Sequence, residues 1–157
     1  MFEIEKLLGL GLLSLQEIVE KIGERFLKCL EDETAESFLE ILLLFMKFKF
    51  MLDPSYRRNI ENFRGRYQFK NRDGGVTVLV EFDNGKMDFK ETLAHDVDVA
   101  VIFKDGRALM NFLLSKDRDI LSCLLNNEVT VDGNLNYIYK FGFMANHFQL
   151  ELIGNLP

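Results

Sequence analysis

A chain of 157 residues, 48% apolar and 28% charged, suits one domain with a single sizeable core; two prolines and no repeat exclude a low-complexity or disordered protein. Cys29 and Cys123 lie far apart and form no CxxC pair, which excludes a disulfide framework or a thiolate zinc site and makes a reducing cytoplasm the expected compartment. The net charge of −6 works against polyanion binding, which needs a net basic surface.

The first third reads as helices. Glu3 and Glu5 follow Met1 where a secretory signal would place basic residues, so no such signal is expected. "SLQE" at 14–17 is a capping box. Leu15, Ile18, Val19, Ile22, Phe26 and Leu30 then recur at helical spacing, with Glu17, Glu20, Lys21, Glu24 and Lys28 on the other face. A second helix is predicted from Thr34 to about Phe50, stopped by Asp53 and Pro54. Its apolar positions go most of the way round, so it should pack on two sides, one of them suited to a second subunit. The longest uncharged run there, Ile41 to Met46, falls far short of the roughly 20 residues that span a bilayer.

A short helix or turn at 54–62 leads into a basic segment. "SYRRNIENFRGRYQFKNR" holds Arg57, Arg58, Arg64, Arg66, Lys70 and Arg72 against the single acid Glu61. A nucleic-acid footprint has this composition. Here, however, Arg66, Gln68 and Lys70 alternate with Tyr67 and Phe69, as on the wet face of a strand, and no nucleic-acid partner is expected.

The period has now changed from helical to two. "NRDGG" at 71–75 makes a turn; Val76, Val78, Val80 and Phe82 alternate with Thr77, Leu79 and Glu81; "DNG" at 83–85 makes the next hairpin, after which Met87 and Phe89 continue the inward face. "VDVAVIF" at 97–103 is a fourth strand, with Val97, Val99, Val101 and Phe103 on one face. The sheet therefore has one apolar face and needs helices on that side. "DGRALMNFLLS" at 105–115 supplies one, with Leu109, Phe112 and Leu113 together, and "DILSCLLNN" at 119–127 a further turn or two. "EVTVDG" at 128–133 is a fifth strand. The closing helix, to about Gln149, carries Lys140 as its only formal charge and five aromatics in twelve positions, Tyr137 to Phe148.

In this order the hairpin strands, "VDVAVIF", "DGRALMNFLLSKD", "NNEVTVDGN" and the closing apolar helix resemble the sterol carrier protein type-2 family, most closely at "EVTVDGNLNYIYKF", 128–141. The likeness covers about residues 55–150. It implies an α+β fold: a five-stranded mixed sheet with helices on one face and an apolar tunnel between the layers that takes fatty acyl, sterol-like or other lipids. Residues 34–157 would form this domain. Residues 1–33 would be a helical extension acting as lid, plug or dimer contact. The family brings no catalytic residues and no cofactor.

The closing helix then has two readings. One flank, Leu135, Ile138, Gly142 and Ala145, meets the sheet. A second, Tyr137, Phe141, Met144 and Phe148, either faces a ligand cavity or packs on the N-terminal helices. In the first case the apolar wall comprises Val78, Val99, Val101, Leu109, Phe112, Leu113, Tyr137, Phe141, Met144 and Phe148. Burying about ten methylenes at ~0.8 kcal/mol each outweighs an association cost of ~4 kcal/mol or more, so an acyl chain needs no polar recognition. In the second case the fold is an interaction module that forms a homodimer, or docks on a partner, through residues 1–50.

Enzyme chemistry finds little support. His95 and His147 show no metal-ligand spacing, no serine sits in a GxSxG elbow, and "GLGLL" at 9–13 follows no strand. Asp96 and Asp98 fall on the solvated face of a strand. Cys123 lies in an apolar helix with only Arg118 near it to lower its pKa. No metal or catalytic group is expected.

Overall fold

The computed structural model describes residues 35–105, 108, 109, 112 and 126–154, together with residues 17, 21 and 24. Glu17, Lys21 and Glu24 are helical and exposed, as the polar face of the first predicted helix requires. The rest of that helix, including the Ser14 cap, lies outside the described residues, as do Leu113, Cys123 and most of the 119–127 segment.

Helix α1 (Ala35–Leu52) ends where the sequence places its stop. Asp53 leaves the helical region at φ −113°, ψ 103°, and its Oδ1 accepts the amides of Ser55 at 2.9 Å and Tyr56 at 3.3 Å, capping α2 (Pro54–Arg57). Pro54 at the first helical position gives up no useful amide. Desolvation alone would raise the Asp53 carboxyl, but the amides of Tyr56 and Ser55 and then Lys49 bring it below its ordinary pKa. A single 3-10 turn (Arg58–Ile60) follows. Ile41 to Met46 are all buried, which takes in more than a full turn, so α1 is enclosed on every side there. That stretch has no face left for a second subunit. Among its described side chains, the large apolar ones that α1 exposes are Met51 and Leu52, at its end.

Five strands form one mixed sheet: β1 (Arg64–Asn71), β2 (Thr77–Asp83), β3 (Lys86–Lys90), β4 (Val99–Phe103) and β5 (Val129–Gly133), in the order β3-β2-β1-β4-β5. All neighbours are antiparallel except β1 and β4. In the β2–β3 turn both central residues have positive φ, Asn84 at 44° and Gly85 at 89°, the type I′ geometry that matches strand twist. Register gathers the apolar face: Tyr67 lies opposite Val80 and Val99, and Phe69 opposite Val78 and Val101, while Val131 and Val129 extend it through Val101 and Phe103. β4 begins at Val99, two residues later than its hydrophobic pattern.

The β3–β4 connection, 91–98, has to cross from one edge of the sheet to the far side of β1, and it does so over the outward face. Gln68 holds it there. Its Oε1 accepts the Ala94 amide at 2.9 Å, and its Nε2 donates to the Thr92 carbonyl at 3.1 Å and the Val78 carbonyl at 3.2 Å. The wet-face placement of Gln68 is therefore corrected: it is 1% exposed, and Leu79 beside it is buried too. Alternation identified the face correctly, but the strap converts part of that face into a second interior. Further along, Arg66 bonds the Asp96 carboxylate at 2.6 Å and its carbonyl at 2.8 Å, and approaches Glu81 at 3.3 Å. The Arg66 hydrogen bond holds the Asp96 carboxyl below its ordinary range. Asp98 accepts the Arg66 amide at 2.8 Å.

The sheet passes into helix α3 (Leu135–Gly154) through Gly133 and Asn134. Gly133 has φ +122°, and a Cβ there would collide with the Asp98 carbonyl and come within 2.8 Å of the Val99 Cα. Only glycine permits this approach of β5 to β4. Asn134 Oδ1 then accepts the Asn136 amide at 2.9 Å, opening the helix. No described helix is long and apolar enough to cross a membrane.

Candidate functional site

The layer between the apolar face of the sheet and the helices brings most of the sequence-selected residues together. Val78, Val99 and Val101 are buried on the sheet; Ala108, Leu109 and Phe112 are helical and buried; Phe141 and Met144 reach the layer from α3. Tyr137 is half-buried beside them. Leu113 lies outside the described residues, as does the side chain of Phe148, although its backbone belongs to α3.

The two flanks expected of the closing helix merge into one. The Phe141 ring sits 5.0 Å from Phe69 and 5.6 Å from Tyr67, and Tyr137 sits 5.9 Å from Tyr67 and 5.3 Å from Phe63. Tyr137 and Phe141, assigned to the second flank, thus lie on β1, next to Ile138, Gly142 and Ala145, which are buried as expected. Leu135, expected on the sheet, is 44% exposed. Tyr137 and Ile138 of the same first turn do pack inward, so Leu135 lies on the side of that turn that faces away from the sheet.

Sequence reasoning missed the aromatic seam that frames the layer. Phe50 stacks on Tyr56 at 4.3 Å and meets Phe82 edge-on at 6.1 Å, and Phe82 meets Tyr67 at 5.5 Å. Two tyrosine hydroxyls tie this seam to α3: Tyr67 donates to the Tyr137 carbonyl at 2.8 Å, and Tyr56 to the Met144 carbonyl at 2.9 Å. Burial pushes the Tyr67 phenol well above its ordinary pKa, so the group stays neutral. The Asp53-Pro54 cap, just before Tyr56, was the available local signal, because it fixes where the backbone of α2 starts.

Among the described residues no charge enters the layer, and apart from the two tyrosine hydroxyls the only buried polar side chain is Gln68, on the opposite face of the sheet. Lys140 lies over the Phe63 ring at 4.6 Å instead of entering the interior. His95 is exposed, and no described group of three His, Cys, Asp or Glu residues is placed to hold a metal.

The SCP-2 sterol transfer family profile matches residues 46–146, well over half of the chain. The chain belongs to the SCP-2 sterol transfer family. Two solved structures agree on the fold. The ubiquinone synthesis protein UbiJ-SCP2 superposes with a TM-score of 0.52 at 16% identity, covering 68% of this chain and 90% of that one. The stereoselective inverting sec-alkylsulfatase Pisa1 from Pseudomonas sp. gives 0.56 at 17% identity over 72% of this chain, which spans only 16% of the enzyme. Sterol Carrier Protein 2 from Yarrowia lipolytica, in its apo form, gives 0.48 at 15% identity, covering 73% and 91%. No curated protein matches the chain. The α+β, five-stranded sterol-carrier fold expected from the order of elements is the fold observed, and it is a lipid-binding one.

Proposed function

We propose that this SCP-2 family member is a cytoplasmic lipid carrier that holds one hydrophobic ligand between sheet and helices and performs no chemistry on it. The observation that carries this reading is the interlayer itself. Val78, Val99, Val101, Leu109, Phe112, Phe141 and Met144 present only carbon and sulfur, and the hydroxyls of Tyr56 and Tyr67 are already bonded to α3. Leu113, Tyr137 and Phe148 complete the proposed wall. A fatty acyl, sterol-like or quinone-like molecule suits such a wall, the last in keeping with the ubiquinone-synthesis role named for UbiJ-SCP2. Native mass spectrometry of freshly purified protein, followed by organic extraction, tests the reading. The expected result is a co-purifying lipid in a fixed ratio, lost in a folded Phe141→Asp variant.

A second reading, an accessory module that dimerises or docks on a partner, is favoured by one feature. Leu135, Tyr139 and Phe143, four residues apart on α3, are all exposed. A protein that arrives empty and dimeric would move this reading ahead, with residues 1–33 as the added interface.

A further inference from the structure

A groove of about 630 Å³ opens between the C-terminal end of α1, α2 and the β2–β3 hairpin. None of the described interlayer wall residues lines it. Its floor is apolar, with Phe50 and Met87 buried and Met51 52% exposed. The volume lies within the few hundred to about 1,000 Å³ typical of small-molecule sites, and methionines adapt to flexible chains.

The rim is basic on a chain that is acidic overall. Among the described residues, Lys47, Arg57 and Lys86 face the groove against the single acid Glu61. Asp88 pairs with Lys47 at 3.2 Å, whereas neither Arg57 nor Lys86 is ion-paired among the described residues. Arg57 is nonetheless held in position. Its Nη1 donates to the Met51 carbonyl at 3.4 Å, and it shares the lining of the groove with Asn84 and Gly85 at the hairpin tip. The floor suits an alkyl chain, and the two cations suit a single negative head, with guanidinium geometry matching a carboxylate.

We propose that this groove is a second ligand site, binding a single-chain amphiphile with an anionic head: the chain on Phe50, Met51 and Met87, the head between Arg57 and Lys86. It is separate from the interlayer site, and either can exist without the other.

Methyl-¹³C methionine spectra of the full chain test this directly, because Met51 and Met87 report the groove and Met144 the interlayer. Decanoate, kept below micelle formation, should shift the Met51 and Met87 methyls saturably. Decanol and decyltrimethylammonium should bind about tenfold more weakly, the discrimination two exposed ion pairs supply. An Arg57→Gln/Lys86→Gln variant should bind decanoate no better than decanol. Lys86→Gln alone, at an exposed hairpin position, gives a partial loss without threatening the fold. Equal binding of all three probes overturns the proposal, as does a response confined to Met144. Broadening of Met51 on phosphatidylglycerol vesicles without any response to decanoate also overturns it, marking a membrane-docking patch instead.

Discussion

Replacing Gln68 with leucine tests whether the 91–98 strap is part of the folding unit or only lies on it. Leucine is close in size but offers no polar atom. It leaves the Ala94 amide without its acceptor at 2.9 Å and the Thr92 carbonyl without its donor at 3.1 Å. The Phe69 contact at 3.4 Å is the longest of the four, and the amide has only two hydrogens, so it adds little. A backbone group left dry and unpaired costs ~1–3 kcal/mol. Thr92 and Ala94 are half-buried, so water reaches them in part and the low end applies to each. The expected loss is ~2 kcal/mol, a large share of the ~5–15 kcal/mol that holds a typical domain. Urea denaturation should show a lower midpoint at unchanged slope, and hydrogen exchange should show the Ala94 amide losing protection while the β1–β2 amides keep theirs. A Gln68→Leu variant within ~0.5 kcal/mol of wild type, with Ala94 still protected, would refute the anchoring role, since surface changes alone fall in that range.

Other expectations follow from single contacts. Phe141→Ala should cost ~3–5 kcal/mol by emptying space against Tyr67 and Phe69, whereas Tyr139→Ala, two positions away and 53% exposed, should stay within ~0.5 kcal/mol; equal losses in denaturation would contradict the facing assigned to α3. Gly133→Ala combines a positive φ with a collision against β4 and should cost at least ~2 kcal/mol, read as a fall in melting temperature. Asp53→Ala should lose ~0.5–2 kcal/mol of capping at neutral pH. Because the folded carboxyl titrates below its unfolded value near 3.8, its contribution is complete above that pH and fades as pH falls through the folded value. The gap between Asp53→Ala and wild type should therefore close below about pH 4 in acid titrations, and a gap independent of pH would show that the charged form is not what caps α2.

Much of this architecture could be read directly. Period-two alternation in Val78, Val80 and Phe82 and in Val99, Val101 and Phe103 fixed which side of each strand faces inward, because successive side chains must point to opposite faces. Asn84-Gly85 dictated its hairpin, since few other pairs accept two positive φ angles. Asp53-Pro54 dictated the end of α1 and the start of α2 for equally local reasons. The order of elements was enough to suggest the family.

Tertiary structure alone decided which polar positions became interior and which apolar ones stayed outside. Gln68 has the pattern of a solvated residue and is buried because the 91–98 strap must pass over it. Leu135 has the pattern of a core residue and is exposed, because Tyr137 and Ile138 of the same turn take the place against the sheet. The aromatic seam joins Tyr56, Tyr67 and Phe141 from opposite ends of the described chain, and the groove unites Met51 and Arg57 with Lys86 and Met87. Periodicity records which side of its own element a residue occupies. What that side meets depends on elements distant in sequence, and only packing brings them together.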